Sequence, residues 1–148
     1  MLTRRALIAA GPALALLPAA ARAQTAPVYA ERGLAIGGID PTSYFTEGRP
    51  VPGDPAIALD WRGATWRFAS AEARAAFERM PERYAPQFGG WCAWAVAEGY
   101  TAPTVPEAWA IVDGRLYLNF SNRVQRQWQR DASGNIARAQ ANWPAVLE

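Results

Sequence analysis

The 148-residue chain sets 15 arginines, with no lysine and no histidine, against 13 acidic residues, for a formal charge of +2. The missing histidine excludes Ser-His-Asp catalysis, Cys-His nucleophilic pairs, histidine-ligated zinc or haem, and an imidazole pH switch. The missing lysine excludes a Schiff base, and the single cysteine, Cys92, cannot close a disulfide within its own chain.

The chain opens with the pair Arg4-Arg5, an apolar stretch of about 12 residues and then Ala21-Arg22-Ala23. This reads as a cleaved signal peptide over residues 1–23. The stretch falls short of the about 20 residues that cross a bilayer. Thr3-Arg4-Arg5 followed by Leu7 and Ile8 is of twin-arginine type, so the expected address is the periplasm. Cleavage leaves 125 residues with 12 basic and 13 acidic groups. No basic stripe survives, so no nucleic-acid partner is expected, and no membrane contact once the signal is gone.

Residues 24–35 read as a polar tether. After Gly37-Gly38, Asp40 is placed to cap a short helix with Pro41 at its first position, ended by Gly48. Ile57, Leu59 and Trp61 alternate with polar or small residues, and Arg62-Gly63 turns the chain into a second strand at Thr65-Trp66-Arg67-Phe68. Ser70 caps a helix over residues 71–80, and Pro81 stops it. Residues 91–98 read as a small-residue helix with Gly99 as its cap. Asp113-Gly114 between two apolar runs is a strong hairpin signal, since both turn positions want positive φ. Ser121 caps a helix to about Arg130, Gly134-Asn135 breaks it, and a last helix from Ile136 returns Trp143 to the core. The expected fold is α+β: two β-hairpins forming a small antiparallel sheet packed against four or five short helices.

Phe68-Ala69-Ser70, Phe77 and Pro81-Glu82-Arg83-Tyr84, preceded by the Trp66 strand and by Asp40-Pro41, resemble the YHS domain. Gly89-Gly90-Trp91-Cys92-Ala93 and the run from Val112 to Asn119 make the chain similar to exported bacterial YHS-domain proteins, over roughly residues 36–144. The resemblance implies a YHS-like domain over residues 36–148 and no particular reaction. Relatives attached to copper-exporting pumps carry cysteines at positions matching Ser43, Ala69 and Ala73, so their metal site is not carried over. Some exported members resemble selenoproteins, with selenocysteine at the position of Cys92, which implies redox chemistry there.

Cys92 therefore has three readings. A helix beginning at Trp91 would put it in a first turn, where the dipole lowers a thiol pKa, favouring a one-cysteine redox enzyme with an external reductant. Gly89 and Gly90 would let a small molecule approach, with Tyr84, Trp91 and Trp94 as walls, favouring a binding or accessory protein for a small molecule or a soft metal ion. Cys92 is equally at home as a buried small hydrophobe, which leaves a structural interaction module. The one remaining methionine, Met80, could join Cys92 on Cu(I). Tyr44 and Tyr100 are further candidates to line a pocket. The residues name no cofactor, and the reading leans toward a binding or accessory protein over an enzyme.

Overall fold

The computed structural model describes residues 23–148, so the expected signal peptide, apart from Ala23, lies outside the described residues. Among the described residues are six α-helices and three small sheets of four, two and two strands, an α+β architecture. The two expected hairpins form, but they lie in different sheets.

The first hairpin joins β5 (Asp54–Trp61) to β6 (Ala64–Phe68). Its turn, Arg62-Gly63, takes φ of 49° and 78°, the positive pair that suits the twist of a two-residue turn. Along β6 the side chains of Ala64, Trp66 and Phe68 are buried while Thr65 and Arg67 are not, the period-2 pattern of a sheet with one covered face. The residues before it add two short strands, β1 (Ala30–Glu31) and β2 (Leu34–Ala35), giving the order β1-β2-β6-β5. The β2–β6 pairing is parallel. Hence residues 24–35 are not the loose tether their composition suggests. Val28 is buried, and the Tyr29 N–H donates to the Gly89 carbonyl at 2.9 Å.

The Asp40 region differs in detail from a simple helix cap. Ile39–Asp40 form β3, paired antiparallel with β4 (Val51–Pro52), and the helix α1 is confined to Ser43–Thr46. Asp40 is buried and spends both oxygens. Oδ1 accepts from the Thr42 N–H and hydroxyl, each at 2.8 Å, and Oδ2 accepts from the Ala69 N–H at 2.9 Å. The carboxylate thus ties β3 to the end of β6 by charge-assisted bonds.

Helix α2 (Ala71–Arg79) starts where Ser70 accepts from the Ala73 N–H at 3.1 Å. Pro81 does more than stop it, because it opens a second short helix, α3 (Pro81–Tyr84), at the position that needs no N–H. Phe77 of α2 is the hub of the first core, with ring centroids 5.1 Å from Trp66, 5.2 Å from Phe68 and 5.5 Å from Trp61. Burial of each such ring contributes about 1.5–3 kcal/mol.

The second hairpin joins β7 (Trp109–Val112) to β8 (Arg115–Leu118) through Asp113-Gly114, with φ of 51° and 73°. Its two faces serve two cores. Trp109, Leu116 and Leu118 pack into the first, with Trp66, Phe68, Phe77 and Tyr44. Ala110, Val112 and Tyr117 pack into the second, with Phe88, Val96 and Trp128.

Three helices close the second core. They are α4 (Ala93–Ala97), α5 (Asn122–Gln129), capped by Ser121 accepting from the Val124 N–H, and α6 (Ala132–Asn142). Gly134-Asn135 does not break the chain before α6 but lies inside it. Asp131 caps that helix by accepting from the Gly134 N–H, and a Cβ on Gly134 would meet its carboxylate at 2.2 Å. The glycine is what lets the cap close. Asn135 then donates from Nδ2 to the Trp128 carbonyl at 2.9 Å, joining α6 to α5.

Candidate functional site

Cys92 does not sit in a first helical turn. Helix α4 begins one residue later, and Cys92 is its N-cap residue, with φ −56° and ψ 117°. A thiol is a poor capping acceptor, and the cap comes from another part of the chain. Asn119, at the end of β8, accepts the Trp94 N–H on Oδ1 at 3.1 Å. The Cys92 S–H donates to the same oxygen at 3.6 Å, and the sulfur accepts the Phe120 N–H at 3.3 Å. The Cys92 N–H donates to the Ala102 carbonyl at 3.0 Å.

The thiol is only 1 % exposed. Burial pushes its pKa up, and the N–H groups of Ala95, Phe120 and Trp94 offset that only in part. This reverses the expected lowering by a helix dipole. The helix is five residues long, and removal from water outweighs it. At neutral pH the sulfur is a protonated, hydrogen-bonded interior group. The thiolate needed for nucleophilic attack or metal ligation is disfavoured.

The residues expected around Cys92 disperse. Tyr84 sits edge-on to Phe45 at 5.6 Å in the first core. Trp91 packs on Tyr29 at 5.0 Å, and its indole N–H donates to the Ala26 carbonyl at 2.9 Å. Trp94 packs into the second core. Gly90 offers its carbonyl to the Thr104 hydroxyl at 2.7 Å. Tyr44 is buried with its hydroxyl donating to the Pro106 carbonyl at 2.9 Å, and Tyr100 is exposed. Met80 is 48 % exposed at the end of α2, so it shares no environment with Cys92 in which the two sulfurs could hold Cu(I). Among the described residues no three carboxylate, thiol or imidazole side chains cluster to hold a metal ion.

Among the described residues a cleft lies elsewhere and includes only Gly89 of the expected residues. It is an open cleft of about 730 Å³, within the range of small-molecule sites. It forms where the tips of the two hairpins, the residues before β1 and the end of the chain converge. Its apolar walls include Trp61, Trp66, Phe88 and Trp143. Three arginines reach it: Arg62 from the first hairpin turn, Arg83 from α3, and Arg115 from the start of β8. Glu82 and Asp113 are the acids present. Arg62 is held by Glu82 at 2.5 Å and lies 4.4 Å over the Trp61 ring.

Sequence reasoning missed this site because its residues come from six separate stretches with no shared motif. The one available signal was that Arg62-Gly63 and Asp113-Gly114-Arg115 are hairpin turns. Such turns put charged side chains at tips, where they can face one another.

No family model, no curated protein and no solved structure matches this chain.

Proposed function

We propose that this is an exported, periplasmic, YHS-like accessory protein that binds a small molecule reversibly in the cleft between the hairpin tips, and that it is not an enzyme. The observation that carries the reading is the contrast between the two candidate places. The only thiol is sealed and hydrogen-bonded. The cleft is open and of a size that ligand sites have, and it sets aromatic side chains among charged and amide groups. In this reading Cys92 is a structural residue, and its selenocysteine-like position does not translate into turnover. The expected signal peptide supplies the address and the YHS resemblance the class; neither names the ligand.

The test is mass spectrometry under non-denaturing conditions on protein purified from the periplasm of its own host. A bound small molecule is expected on the wild type and on Cys92→Ser. It is expected to be missing from Gln140→Trp, which fills the cleft from the exposed face of α6. Loss of the molecule from Cys92→Ser with retention in Gln140→Trp would place the chemistry at the sulfur and overturn the reading.

A further inference from the structure

Resting on the cleft as the ligand site, we infer that its occupant is an organic anion: a flat apolar body carrying a carboxylate, sulfonate or phosphate group. The cleft holds three guanidinium groups and two carboxylates. One of each, Arg62 and Glu82, is already joined. Of the remaining three, Arg83 and Arg115 have no carboxylate within 4.0 Å among the described residues, and Asp113 is the only acid left to balance them.

The unmatched charge in the cleft is therefore positive. It is also of a particular kind. A guanidinium only donates hydrogen bonds, in a flat fork that matches the paired oxygens of an acid group. The two arginines stand on different elements, α3 and β8, and both line the cleft. Trp143 lines the same cleft and offers apolar surface to the body of the ligand. Arg83 rests 5.7 Å from the centroid of the Tyr84 ring and Arg115 is exposed, so neither has an ionic partner; a cation would meet two positive groups there, and an acid group would give both a charged acceptor.

Two dyes with the same aromatic skeleton separate the anion from the cleft. Anilinonaphthalene sulfonate carries the acid group, and N-phenyl-1-naphthylamine lacks it. Titration of the folded protein, followed by dye emission and tryptophan quenching, is expected to show one site for each. The sulfonate should bind about tenfold more tightly at low salt, as charge-assisted bonds from two arginines allow. High salt should erase most of that preference, leaving the neutral dye untouched. The double variant R83Q/R115Q should bring the two affinities together, while R123Q on α5, away from the cleft, leaves the preference intact. Gln140→Trp should weaken both dyes.

Equal affinities in the wild type at low salt would overturn the anion and leave the cleft standing. No saturable binding of either dye, or binding indifferent to Gln140→Trp, would overturn the cleft as a ligand site altogether. The salt series on the wild type decides the question even if the double variant does not fold.

Discussion

Gly89 and Pro27 cross so closely that a Cβ built on Gly89 would stand 1.8 Å from the Pro27 carbonyl oxygen. Gly89 also has φ of 61°, a conformation that costs a side-chain-bearing residue about 1 kcal/mol or more. No rotamer change relieves a clash with backbone. Gly89→Ala is therefore expected to cost at least about 2 kcal/mol and to lift the residues before β1 off the cleft wall. Hydrogen exchange should speed up at the Tyr29 amide, which donates to the Gly89 carbonyl. Unchanged protection there would show that the crossing is not what holds this part of the chain.

Asn119 is the keystone of the Cys92 neighbourhood. Its Oδ1 serves both the Trp94 N–H and the Cys92 S–H. Asn119→Ala strips the buried Cys92 S–H and the partly buried Trp94 N–H of their acceptor, at about 1–3 kcal/mol. It should also loosen the seal over the sulfur. Iodoacetamide should leave the wild-type thiol unmodified up to pH 9 and label it in denaturant. The Asn119→Ala variant should label measurably faster in the native state. Rapid labelling of the wild type at pH 6 would contradict a buried, protonated thiol.

Asp40 accepts three hydrogen bonds while buried. Asp40→Ala should lower stability by about 3 kcal/mol, read as a fall in the urea midpoint with little change in slope. Asp40→Asn is expected to be nearly as harmful. Its amide keeps one oxygen for Thr42 but turns an N–H₂ group toward the Ala69 N–H, donor against donor. A tolerated Asp40→Asn would mean that the Ala69 contact contributes little.

Alkali should unfold the protein by a definite route. Burial raises the pKa of Cys92 from an ordinary value of 9.0, and burial with the nearby Glu107 carboxylate raises that of Tyr44 far above its ordinary 10.0. Both groups are acids that bind their protons more tightly when folded. Their contribution is fully present below the unfolded values and is lost as pH rises through the folded ones. Stability should hold from neutral pH to about pH 9 and then decline. Melting temperatures across that range give the curve. Cys92→Ser should flatten its first part, and Tyr44→Phe the later part. A wild-type curve that rises above pH 9 would reverse the sign and rule out this account.

The elements that announce themselves locally were legible in the amino-acid order. Asp113-Gly114 and Arg62-Gly63 make their turns, and Ser70 and Ser121 cap their helices through their own hydroxyls. What could not be read depends on distant partners. Strands β1 and β2 are two residues each, too short for any periodicity, and exist because β6 offers an edge. The first turn of α6 tolerates Gly134 because Asp131 folds over it. The environment of Cys92 was set by Asn119 and Phe120, 27 and 28 positions away. At Cys92 removal from water outweighs the local field of α4, and burial of that kind is set by the whole fold, not by the neighbouring residues.

The hairpin from Trp109 to Leu118 shows alternate residues to two different interiors. A slip of one position along it would exchange the contents of both at once, so its register is under double selection. It also makes the molecule indivisible. A fragment ending before Trp109 loses the partition its own aromatic residues lean on, and one beginning there loses Phe88 and α4. Heat and denaturant should accordingly dismantle the two halves together, in a single cooperative step.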